Sequence, residues 1–98
     1  MTRPQIAAIA AEFGMTQEPY STRPYWKQRS EPVDVEFGIS QDQLYFGLIF
    51  ESEYMEEENF NLLLPIADTT ERAARTILTR LFRKAYFAMP EAEAFTHA

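Results

Sequence analysis

Ninety-eight residues, 46% hydrophobic and 14% aromatic, are enough for one folded domain and too apolar for a disordered chain. There is no cysteine, which excludes disulfides and thiolate metal sites within these residues and is compatible with a cytoplasmic location. The formal net charge of −6 opposes nucleic acid at long range.

The first predicted element is a helix. Thr2 caps it, Pro4 sits in the first turn where a missing N–H costs nothing, and Gly14 ends it. Ile6, Ile9, Ala10 and Phe13 recur at the spacing of one helical face. The segment is apolar and alanine-rich, but it carries Glu12 and lacks a small-residue cleavage pattern, so it is not read as a signal peptide. Residues 15–23 read as a loop.

The middle of the chain alternates with period two. Val33, Val35, Phe37 and Ile39 are interleaved with Asp34, Glu36 and Gly38; Leu44, Phe46, Leu48 and Phe50 with Tyr45, Gly47 and Ile49. Such alternation gives strands with one dry and one wet face. A hairpin through residues 40–43 sets Ile39 opposite Leu44, Phe37 opposite Phe46, Val35 opposite Leu48 and Val33 opposite Phe50. A slip of one residue would oppose apolar to polar throughout. Upstream, a turn at 29–32 places Lys27 opposite Asp34, Trp26 opposite Val35 and Tyr25 opposite Glu36. Residues 60–66 form a further strand, ended or held at an edge by Pro65.

The last element is a long amphipathic helix from about 69 to 88. Asp68 and Glu71 have capping-box spacing, and Ala74, Ile77, Leu78, Leu81, Phe82, Ala85 and Met89 make one apolar stripe. Pro90 is expected to stop it and 91–98 to be a flexible tail. The predicted fold is a single α+β domain over 1–98: an antiparallel meander of three to four strands, with a short N-terminal helix and a long C-terminal helix covering the dry face. Tyr25, Tyr45, Ile49 and Leu63 should point from the other face. Either the first helix covers them or they form a homodimer contact.

Catalytic chemistry finds little to stand on. The one histidine is His97, and there is no glycine-rich phosphate loop. We expect no enzyme, cofactor or metal. Charge is the stronger signal. From 31 to 71 the chain carries eleven acids and no base; from 72 to 84 it carries five bases and no acid. The acidic run peaks at Glu51, Glu53, Glu56, Glu57 and Glu58, with Tyr54 among them. Together with Asp34 and Glu36 these residues read as a surface for a basic partner protein, with the aromatic as anchor. The competing reading is that the charge only solvates a loop and protects a sheet edge.

Arg72, Arg75, Arg80, Arg83 and Lys84 form a basic helix face. Phosphate binding is the sharp reading of that face and a solvated helix surface the plain one. By analogy of size and charge alone, the chain fits small acidic inhibitors that occupy a nucleic-acid-binding surface, such as phage anti-CRISPR and toxin-neutralising immunity proteins. The alternatives are a dimeric adaptor like the secretion chaperones, binding an extended client through apolar surface, and an accessory nucleic-acid binder using the arginine helix.

Overall fold

The computed structural model describes residues 1–19, 24–30, 32–50 and 59–97; for 29, 30 and 89–97 it describes the backbone alone. The order is α1 (Arg3–Glu12), β1 (Thr16–Gln17), β2 (Tyr25–Ser30), β3 (Val33–Ser40), β4 (Gln43–Phe50), β5 (Phe60–Pro65), a 3-10 turn (Ile66–Asp68) and α2 (Glu71–His97). The five strands form one antiparallel sheet in the order β1-β2-β3-β4-β5. The fold is the predicted α+β meander with one strand more. That strand, β1, lies within the segment read as a loop. Two residues carry too little alternation to be legible, and β1 exists because it pairs with Trp26 and Lys27.

The termini of α1 follow their chemistry. Thr2 accepts from the Gln5 N–H at 3.3 Å while the Gln5 side chain accepts from the Thr2 N–H at 2.8 Å, a complete capping box. Gly14, at φ 69°, lets the chain reverse, so that its N–H donates to Ala11 and that of Met15 to Ala10. α2 is capped by Thr70, whose hydroxyl accepts from the Ala73 N–H at 3.1 Å, and not by Asp68. Asp68 belongs to the 3-10 turn, three positions before α2 begins at Glu71. Nor does Pro90 stop α2, which runs on to His97. Proline removes one hydrogen bond and pushes against one carbonyl, a local kink that a helix of 27 residues can carry.

The β3–β4 register is the predicted one at all four apolar pairs. The hairpin link is shorter than expected, because Ser40 and Gln43 pair and leave Gln41 and Asp42 alone in the turn. The β2–β3 register differs by two residues: Lys27 stands opposite Glu36, Trp26 opposite Phe37 and Tyr25 opposite Gly38. Ser30 pairs with Val33, so two residues make the link where four were expected. A shift of two preserves which face each side chain takes, so Trp26 stays dry and Tyr25 stays on the opposite face.

The core lies between the dry face and the helices. Phe37, Phe46, Leu44, Leu48 and Val33 from the sheet are fully buried with Leu78 and Ala74 of α2 and Ile6, Ile9 and Ala10 of α1. Phe37 stacks on Phe46 at 5.1 Å, and Phe13 at the end of α1 stacks on Phe82 of α2 at 5.5 Å. Arg75 of α2 makes a two-pronged pair with Glu12 of α1, at 2.9 and 3.0 Å, and reaches Glu71 at 3.5 Å. The Arg75 hydrogen bonds hold the Glu12 carboxyl below its usual range against an opposing effect of desolvation, and the Arg75 charge adds to the lowering. α1 thus joins α2 in the dry-face core and leaves the tyrosine face uncovered by either helix. No helix among the described residues is long and apolar enough to cross a membrane.

Candidate functional site

The uncovered face is built from cross-strand rows. One row runs Lys27, Glu36, Gly47, Asn61; the next runs Tyr25, Gly38, Tyr45, Leu63; at the far end stand Arg29, Asp34 and Ile49. The two glycines make room for the two tyrosines. A Cβ on Gly38 would lie 2.7 Å from the Pro24 carbonyl oxygen and 3.1 Å from Tyr25 Cα. A Cβ on Gly47 would lie 2.5 Å from the Tyr45 hydroxyl and 3.3 Å from Glu36 Oε1. Tyr45 leans along its strand over Gly47, which brings its hydroxyl into the neighbouring row.

There it meets Glu36 Oε1 at 2.9 Å and Asn61 Oδ1 at 2.8 Å. A phenol has one proton, so it donates to the carboxylate, and the second contact is satisfied with the Asn61 amide turned to donate. Tyr25 also hydrogen-bonds Glu36. Burial first, then that hydrogen bond and the negative charges of Glu36, an ionised Tyr45 and Glu18, push the Tyr25 hydroxyl far above its ordinary range. It therefore stays a donor. Glu36 is held from both sides by phenols.

Lys27 serves both acids, at 3.2 Å to Asp34 and 3.7 Å to Glu36. The Asp34 side chain is 4% exposed and that of Glu36 13%. Both were expected to be presented to a partner. Asp34 is instead buried beside Lys27, and Glu36 is covered by tyrosines, because a long lysine stem and two phenols reach these acids from the neighbouring strands. Among the described residues, Asp34 Oδ1 is the buried side-chain oxygen left without a hydrogen-bond partner.

The remaining acidic candidates, Glu51, Glu53, Tyr54, Glu56, Glu57 and Glu58, lie outside the described residues. Their flanks are tied together, the Phe50 N–H donating to Asn59 Oδ1 at 2.8 Å. Tyr25, Tyr45 and Ile49 are half-buried, and Leu63 is 48% exposed. An open hollow of about 590 Å³ lies between the tyrosines, lined by Glu18, Tyr25, Glu36, Gly38, Tyr45 and Leu63 with Ile39 and Ser40 at its side. Sequence reasoning missed Glu18, Asn61 and the role of the glycines. Period-two parity does place Gly38 and Gly47 on the tyrosine face. Glu18 comes in through β1, where its N–H donates to the Tyr25 carbonyl at 3.0 Å.

The basic candidates form a separate groove on α2, lined by Arg72, Arg75, Thr76, Thr79, Arg80 and Arg83. Arg75 is committed to Glu12 and Glu71. Arg72, Arg80, Arg83 and Lys84 are exposed. Beyond them Tyr86 and Phe87 are 74% and 73% exposed and meet edge to face. No three His, Asp or Glu side chains converge among the described residues. Comparison with models of known families, with curated proteins and with solved structures returned no match.

Proposed function

We propose that the protein is a non-enzymatic binding module whose partner protein presents a basic surface of the kind that holds nucleic acid, and that it acts by occupying that surface in the cytoplasm. One observation carries the reading: both helices pack on the same sheet face, so neither helix covers the opposite face, with its two tyrosines, Leu63 and a hollow lined by two acids. Aromatic groups beside charge are what interfaces use as anchors. The acidic run at 51–58, which follows β4 and precedes β5 in the sequence, supplies charge for steering a basic partner.

The test is capture from lysate followed by affinity measurement against salt. Wild-type binding should weaken steeply as salt rises, and Leu63→Asp, on the exposed edge strand, should abolish it without unfolding the chain. Triple Glu56/Glu57/Glu58→Lys should also lose it. Binding that is indifferent to salt and to both variants refutes the proposal. A second reading, the dimeric adaptor with an apolar client surface, draws on Phe60 and Leu63, exposed at 38% and 48% on an edge strand. Salt-tolerant binding lost only in Leu63→Asp, with a dimer mass in light scattering, supports that reading.

A further inference from the structure

We infer that the hollow between Tyr25 and Tyr45 is a receptor for a cationic side chain, an arginine or lysine of an extended segment of the partner. This rests on the proposed function and names the chemistry at its centre. The walls are two half-buried phenol rings, whose faces attract a cation, and an apolar side at Leu63 that suits an aliphatic stem. Its volume of about 590 Å³ lies in the range of a ligand-sized cleft.

Charge completes the argument. Among the described residues the lining carries two carboxylates, Glu18 and Glu36, and no base. Lys27 lies in the next row and is closer to Asp34 than to Glu36, at 3.2 against 3.7 Å, and Arg29 stands a row further away, opposite Asp34. Among the described residues no base pairs with Glu18. The Glu36 carboxylate is held rigid by donors from Tyr25 and Tyr45, so a cation entering the hollow meets a preformed acceptor. A planar guanidinium has the further advantage of stacking on a ring while donating to a carboxylate.

The experiment titrates the isotope-labelled full chain with a blocked Gly-Arg-Gly-Arg-Gly peptide and with the same peptide carrying citrulline, which keeps the shape and removes the charge. Amide shifts at Gly38, Gly47, Tyr45 and Leu63 should saturate with the arginine peptide. The citrulline peptide should bind at least about tenfold more weakly, equivalent to about 1.4 kcal/mol. The double variant Glu18→Gln/Glu36→Gln should lose affinity for the arginine peptide by a similar factor. If that variant does not fold, the arginine-to-citrulline comparison in the wild type decides alone. Equal affinity of the two peptides overturns the inference. Saturable shifts confined to residues 51–60 overturn it while leaving the basic-partner reading in place, and absence of binding anywhere overturns both.

Discussion

Lys27→Met removes the ammonium that serves Asp34 and Glu36 while keeping most of the aliphatic stem. Asp34 is 4% exposed and Lys27 16%, so water does little to replace the lost partner. Breaking a buried pair by deleting one member costs about 3–5 kcal/mol, because the other charge stays buried and uncompensated. The partial exposure of Lys27, and the two phenols still bonded to Glu36, place the cost at the lower end, about 3 kcal/mol. At about 4–8 °C of melting temperature per kcal/mol for a domain of this size, the loss is about 12–24 °C. Asp34→Asn should cost less, about 1 kcal/mol. It keeps the shape, leaves Lys27 to Glu36, and gives up an acid whose Oδ1 already lacks a partner.

The discriminating variant is Lys27→Met/Asp34→Leu. With Asp34 gone as well, its desolvated charge is no longer left to penalise, and the acid that remains, Glu36, keeps its phenol donors; well-packed apolar replacements of buried pairs are often neutral or better. The double variant should recover most of the loss of Lys27→Met, a coupling of about 2 kcal/mol in a double-mutant cycle. Urea unfolding of the four proteins measures it. A Lys27→Met variant within 1 kcal/mol of the parent on the order of ordinary surface changes, or a double variant whose cost equals the sum of the singles, refutes this account of the open face.

Leu81→Ala, in the core under α2, should cost about 2–5 kcal/mol in the same assay. Gly38→Ala should destabilise more than Gly47→Ala, since the added methyl meets the Pro24 carbonyl and Tyr25 Cα in the first case and the tip of a movable Tyr45 ring in the second. Gln41→Gly should raise stability by about 0.5–1 kcal/mol, because Gln41 holds φ 58° in a two-residue turn where a side chain carries a penalty. Tyr25 is the pH-sensitive group. Its folded-state value is raised above the unfolded one, so its contribution is full below about pH 10 and is lost as pH rises beyond it. Unfolding free energies of the wild type should fall above that pH, and those of Tyr25→Phe should fall less.

The sheet was legible because period-two alternation is redundant: four apolar pairs across β3 and β4 leave a single register that keeps the core dry. The β2–β3 register carried less information. Shifts of two residues leave every side chain on its own face, so alternation cannot distinguish them, and the length of the turn decides. Lys27 opposite Asp34 was a plausible electrostatic pair. In the structure Lys27 stands opposite Glu36 and reaches diagonally to Asp34, so the ion pair forms in a register other than the one that sets the two residues directly opposite. A flexible lysine stem makes charge pairing a poor ruler of register. Helix ends misled for a similar reason, since Thr70 and Asp68 both offer capping oxygens, and the choice rests on where β5 and the 3-10 turn release the chain.

The site was legible in its residue types and not in its depth. Tyr25, Tyr45, Ile49 and Leu63 were placed on the free face by parity alone, but parity says nothing of how far a side chain is covered by its neighbours. Asp34 and Glu36 show the difference: the pattern marks them as wet, and the lysine and phenols that fold over them come from β2 and β4. Two glycines decide it. With side chains at 38 and 47 the tyrosines would stand upright, Glu36 would lose its donors, and the face would be an ordinary charged surface. With glycines there the rings lie down, Glu36 is covered, and a hollow opens between the tyrosines. The acidic charge at this hollow is therefore narrower than the count of eleven acids implies: among the described residues its lining carries Glu18 and Glu36, beside the two tyrosines.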